Sequence, residues 1–200
     1  MKKHGSEIIF WGSLWGFMEV TLGYVVHQLG IALPGLPGFV MFPAAYLLMR
    51  NAADSTERKD IILQMSIIAA GLKLLDFWIP GNDPIRIINP ALSIVMEGTA
   101  VYALMRLSFK STLTQTFSMG FLWRSAWLGY MMLIDQFGLP AGLVTSGMPV
   151  ALRFLVIESA VNALIMSGSI LLEPIKLTYQ PKWQMAFSMG ILAIVAQAVL

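Results

Sequence analysis

Apolar residues run along this chain in seven long blocks, about 7–30, 36–50, 61–79, 91–107, 116–137, 150–171 and 183–200, separated by polar or Gly/Pro-rich segments. At about 1.5 Å of rise per residue, the longer blocks reach across a hydrocarbon core of roughly 30 Å. The pattern predicts an all-α, polytopic membrane bundle of about seven transmembrane helices, formed as a single domain over residues 1–200. The second and seventh blocks are short. The second is also bounded by Pro34, Pro37 and Pro43, so it is a candidate for a kinked or partly re-entrant segment, which would leave six spans.

Within the first block the polar positions are ordered. On a helix, Gly12, Gly16, Glu19, Gly23 and His27 share one narrow stripe, while Phe10, Leu14, Phe17, Leu22 and Val25 take the other faces. A carboxylate such as Glu19 at mid-span costs on the order of 3 kcal/mol on insertion scales, so it marks a site. Its context, Met18-Glu19-x-Thr21-x-x-Tyr24, returns as Met96-Glu97-x-Thr99-x-x-Tyr102 and more faintly around Glu158. Three spans with one buried Glu each predict a common polar site. Neither Glu19 nor Glu97 has an evident partner on its own helix, whereas Lys73 and Asp76 are three apart and read as a local ion pair. Glu158 and Asn162 share a face and are placed to hydrogen-bond between helices. Asp135 and Arg153 fall near one mouth of the bundle, and Arg124 is a deep charge in need of a partner.

Composition agrees with a membrane protein: apolar residues make up 57%, charged residues only 12%, and the mean hydropathy is +0.72. The formal charge of +2 does not signal nucleic acid, because the basic residues sit in loops. With seven spans, Lys2, Lys3, Arg50, Arg58, Lys59, Arg106, Lys110, Lys176 and Lys182 fall on one side and Arg86 on the other, which predicts a cytoplasmic N-terminus in the cell membrane. The Lys2-Lys3 start reads as the flank of an uncleaved first span. The opposite side carries the Gly/Pro-rich loops Ile31–Gly38, Pro80–Pro90 and Gly138–Pro149, candidates for a lid over a cavity or for plain turns. A weak parallel repeat relates Asp76, Pro80, Pro90 and Glu97 to Asp135, Pro140, Pro149 and Glu158.

The absences narrow the chemistry. Zero cysteines exclude disulfides and thiolate sites. No phosphate-binding loop for ATP, no H-E-x-x-H and no G-x-S-x-G occurs, and His4 and His27 are far apart, so neither a metal nor a cofactor is expected. In the spans five acids (Glu19, Asp76, Glu97, Asp135, Glu158) face three bases (Lys73, Arg124, Arg153), an excess that favours a cationic or proton-coupled substrate.

The size of the chain, the small-residue pair Gly12 and Gly16 in the first helix, and outer loops above a polar cavity resemble the substrate-binding S components of energy-coupling factor (ECF) transporters. The resemblance implies capture of a small organic, vitamin-like solute from outside. It also implies a separate transmembrane coupling protein and ATPase subunits as partners, with Gly12 and Gly16 as the docking motif. The face argument instead turns these glycines inward beside Glu19. A seventh span departs from the common six-helix form, and Lys2-Lys3 before His4 departs from the metal-binding members, which disfavours metal transport. Substrate contacts are expected from Glu19, Tyr24, His27, Asp76, Glu97, Asp135, Glu158 and Asn162. The alternatives are a proton-coupled secondary transporter or channel using Glu19, Glu97 and Glu158, and an intramembrane enzyme acting on lipid.

Overall fold

The computed structural model describes residues 4–30, 36–171 and 181–199, and these are helical with no strand among them. The helices are α1 (Gly5–Gly30), α2 (Leu36–Thr56), α3 (Ile61–Leu74, tightening into a 3₁₀ turn over Leu75–Trp78), α4 (Pro84–Met105), α5 (Thr112–Asp135), the short α6 (Gly142–Thr145) and α7 (Met148–Leu152), α8 (Glu158–Leu171) and α9 (Trp183–Val199). A π turn over Arg153–Ile157 joins α7 to α8. Four helical stretches are long and apolar enough to cross a membrane: Gly5–Leu29, Ile61–Trp78, Pro84–Met105 and Met148–Ile170. Helices α2 and α5, of 21 and 24 residues, have the length but are more polar, and α9 has 17 residues.

Several boundaries differ from the sequence reading, each for a local reason. The second helix is not short: it continues through Asn51–Thr56, where Ala52 and Ala53 are good helix formers and Arg50 pairs with Asp54 one turn on, at 3.6 Å. It stops at Glu57, which takes a positive φ of 55°. The fourth helix starts seven residues early, because the Asp83 side chain accepts a hydrogen bond from the Ile85 N–H and Pro84 fits the first turn. Pro90, read as a loop end, therefore lies inside α4. The sixth block is a broken column with the π turn immediately before Glu158.

Packing runs in a closed ring, α1–α3–α4–α5–α8–α2 and back to α1, while α9 lies outside it, mainly against α1. Trp11, Trp15, Phe42, Met49, Ile62, Met65 and Met119 fill the interior. The α1–α3 approach is close. A Cβ built on Gly12 would stand 2.5 Å from Ile68 Cβ and 2.9 Å from the Met65 carbonyl oxygen, and one on Gly16 would stand 2.8 Å from Leu72. Both glycines therefore face α3 within the chain, as the stripe argument required, and docking through them would have to displace that helix. The outward faces are apolar: Ile67, Leu133, Leu164, Ile191 and Val195 are all more than half exposed.

Candidate functional site

Two adjoining cavities open the bundle at the end where α1 finishes and α2 and α4 begin. The outer chamber, about 540 Å³, is lined by Glu19, Tyr24, His27, Lys73, Asp76, Asn82 and Gln197 among others. The inner one, about 240 Å³, is lined by Glu19, Glu97, Asn89, Ser93, Phe42, Trp123 and Trp127. Glu19, His27 and Pro90 belong to both. Pro90 sits within α4 where it leaves one backbone carbonyl of the preceding turn without its helical donor, so polarity at the junction comes from backbone as well as side chains.

Glu19 is held by its own helix: Trp15 Nε1–H donates to Glu19 Oε1 at 2.9 Å. This corrects the expectation that Glu19 lacked a same-helix partner, because an i to i+4 spacing puts the buried indole directly beneath the carboxylate. Lys73 and His27 are within its electrostatic reach. Glu97 is 6% exposed, and its Oε2 has no hydrogen-bond partner among the described residues. Its charge neighbours are Glu19 and Arg124. Lys73 and Asp76 pair at 2.6 Å on the outer chamber wall, as their spacing suggested. Tyr24 lines the outer chamber while half-exposed. His27 bonds through Nδ1 to the Gly23 carbonyl at 2.8 Å, which fixes the ring by its own helix.

Glu158 and Asn162 do not line either chamber. They belong to a node behind it, built around Arg124, which is fully buried. Arg124 Nη2 lies 3.7 Å from Glu158 Oε2 and donates to the Gly38 carbonyl at 3.0 Å. Asn162 Nδ2 donates to the same carbonyl at 3.1 Å, so α5 and α8 both fasten the first turn of α2. The guanidinium stands over Trp123 at 4.7 Å and near Phe154 and Phe42 at 5.3 and 5.9 Å. A side chain at Gly38 would collide with the Glu158 carboxylate. The sequence reading left Arg124 and Gly38 out of the site. A lone deep arginine does announce that a carboxylate must lie near it, but which one depends on the π turn that re-aims Glu158.

Asp135 is exposed at the end of α5 and lines neither chamber, so the repeat that equated it with Asp76 does not extend to the site. The segment 138–149 does not cover the cavity. It folds onto the end of α5, where Ala141, Leu143 and Val144 pack on Trp127, Tyr130, Met131 and Ile134. Of the loop Ile31–Gly38, residues 31–35 lie outside the described residues, and Gly38 belongs to α2. Lys2, Lys3, Lys176 and Leu200 also lie outside them. Among the described residues no group of three or more His, Asp or Glu is placed to hold a metal ion.

Comparison with protein-family models, with curated proteins and with solved structures gave no match. The functional reading therefore rests on the geometry of this bundle and its two chambers.

Proposed function

We propose that this chain is a multi-pass protein of the cell membrane that binds a small organic solute in the paired chambers, from the side opposite its N-terminus. The observation that carries the reading is that Glu19 of α1 and Glu97 of α4 line one cavity, with a buried Glu97 oxygen left unpartnered among the described residues. Native proteins rarely leave such an atom without a ligand, water or ion. The outward-facing apolar side chains suit lipid, and an exposed apolar surface of this extent would not be stable in water. Seven helical columns among the described residues, taken with the basic-loop bias, support an arrangement with the N-terminus in the cytoplasm and the chambers toward the outside.

The reading extends to an uptake protein of the ECF S-component type. A ring of six columns with α9 outside it is what a six-helix core with an added helix would look like. Transport would then draw on a coupling protein and ATPase subunits, since this chain carries no nucleotide-binding loop. Mass spectrometry of small molecules carried through purification tests the binding reading. A solute retained by the native protein and lost in Glu97→Gln is expected, and its equal retention in the variant would contradict the site. Affinity purification from native membranes tests the type. Recovery of a membrane partner with ATPase subunits is expected, whereas solute uptake by the pure chain alone in liposomes would make it a secondary transporter.

A further inference from the structure

The two chambers balance their charges differently, and that difference bears on the chemistry of the occupant. In the outer chamber Lys73 and Asp76 neutralise each other at 2.6 Å. The inner chamber is lined by Glu19 and Glu97, with no Lys or Arg among its lining residues. Arg124 reaches Glu97 electrostatically but already faces Glu158 at 3.7 Å and donates to the Gly38 carbonyl. Glu97 and Glu158 thus share one guanidinium, while Glu19 has Lys73 and His27 within electrostatic reach. Glu97 Oε2 is buried and has no hydrogen-bond partner among the described residues. A positively charged donor brought in from outside satisfies both the charge and the lone pair. Phe42, Trp123 and Trp127 form the apolar wall of the same chamber, and aromatic walls favour a cation.

Size sets the orientation. At about 240 Å³ the inner chamber is smaller than the roughly 300–1,000 Å³ of a whole-ligand pocket, while the outer chamber at about 540 Å³ falls within it. Resting on the reading of this cavity as a solute site, we infer that the solute is an organic amine bound head first. Its ammonium group lies in the inner chamber, donating to Glu97 and Glu19, and its body fills the outer chamber between Tyr24, Asn82 and Gln197.

The test compares three probes of similar shape on the full-length protein in nanodiscs: tryptamine, its neutral alcohol counterpart tryptophol, and indole-3-acetate. Thermal unfolding is followed with each probe at saturating concentration. Tryptamine is expected to raise the Tm by about 5 °C, and the other two by less than about 1 °C. Equal shifts from tryptamine and tryptophol, or a larger one from indole-3-acetate, would overturn the amine assignment while leaving the cavity a solute site. No shift from any probe would also overturn it, and the retained-solute experiment would then decide the binding reading separately. Glu97→Gln should abolish the tryptamine shift. The comparison among probes on the native protein stands even if that variant folds poorly.

Discussion

Arg124 shows how much structure one buried charge can organise. It ties α5 to Glu158 on α8 and to the Gly38 carbonyl on α2, beneath the aromatic rings of Phe42, Trp123 and Phe154. Removing one partner of a buried pair leaves the other charge stranded, at a cost on the order of 3–5 kcal/mol. Arg124→Met should therefore lower the Tm markedly, and adding Glu158→Leu should restore part of the loss. A single variant as stable as the native protein would show that the node does not hold the helices together. At the polar end, Arg58 donates to both carboxylate oxygens of Asp60 and holds that carboxyl below its usual range. The stabilisation is complete above the unfolded value near 3.8 and is lost as pH falls through the lower folded value. The side chains are 28% and 46% exposed, so the effect stays under about 1 kcal/mol. Asp60→Asn should be slightly less stable at neutral pH, with the difference shrinking as pH falls below 3.8 in a thermal-unfolding series. Glu19 and Glu97 were legible because a carboxylate in an apolar run is conspicuous in one dimension. The partners of Arg124 were not, since they come from helices distant in sequence.

At the scale of elements, the glycine face of α1 could be read directly from its spacing, and α3 occupies it. Gly12→Leu would drive a side chain into Ile68 and the Met65 carbonyl. Overpacking of this kind typically costs about 1–3 kcal/mol, to be read as a lower Tm; an unchanged Tm would mean that the two helices separate easily. The helix ends were less legible, and for specific reasons. Pro90 looked like a terminator, yet the cap from Asp83 and the N-terminal Pro84 start α4 upstream and carry the chain through it. The Gly/Pro content of 138–149 fitted either a lid or a plain turn; Ala141, Leu143 and Val144 give the segment an apolar face of its own, and it folds back on α5. Broken periodicity cannot reveal the π turn, because one extra residue per turn leaves no mark in composition.

For the whole molecule, seven apolar blocks were enough to set an all-helical bundle, whereas the ring order and the external place of α9 depend on packing between helices that no one-dimensional pattern orders. Single cysteines at Asp54 and appended after Leu200 should label from opposite sides of the membrane in this cysteine-free chain. Labelling from the same side would remove the seven-span arrangement. The account turns most of all on Glu19 and Glu97 contacting one solute from two helices. The direct measurement is the affinity of the retained solute for the native protein, Glu19→Gln, Glu97→Gln and the double variant. Each single change should weaken binding by on the order of 2–4 kcal/mol with the fold intact. The double change should cost less than the two losses added, by more than about 0.5 kcal/mol, as for groups sharing one ligand. Native affinity in both single variants, or strict additivity in the double, would contradict a shared site.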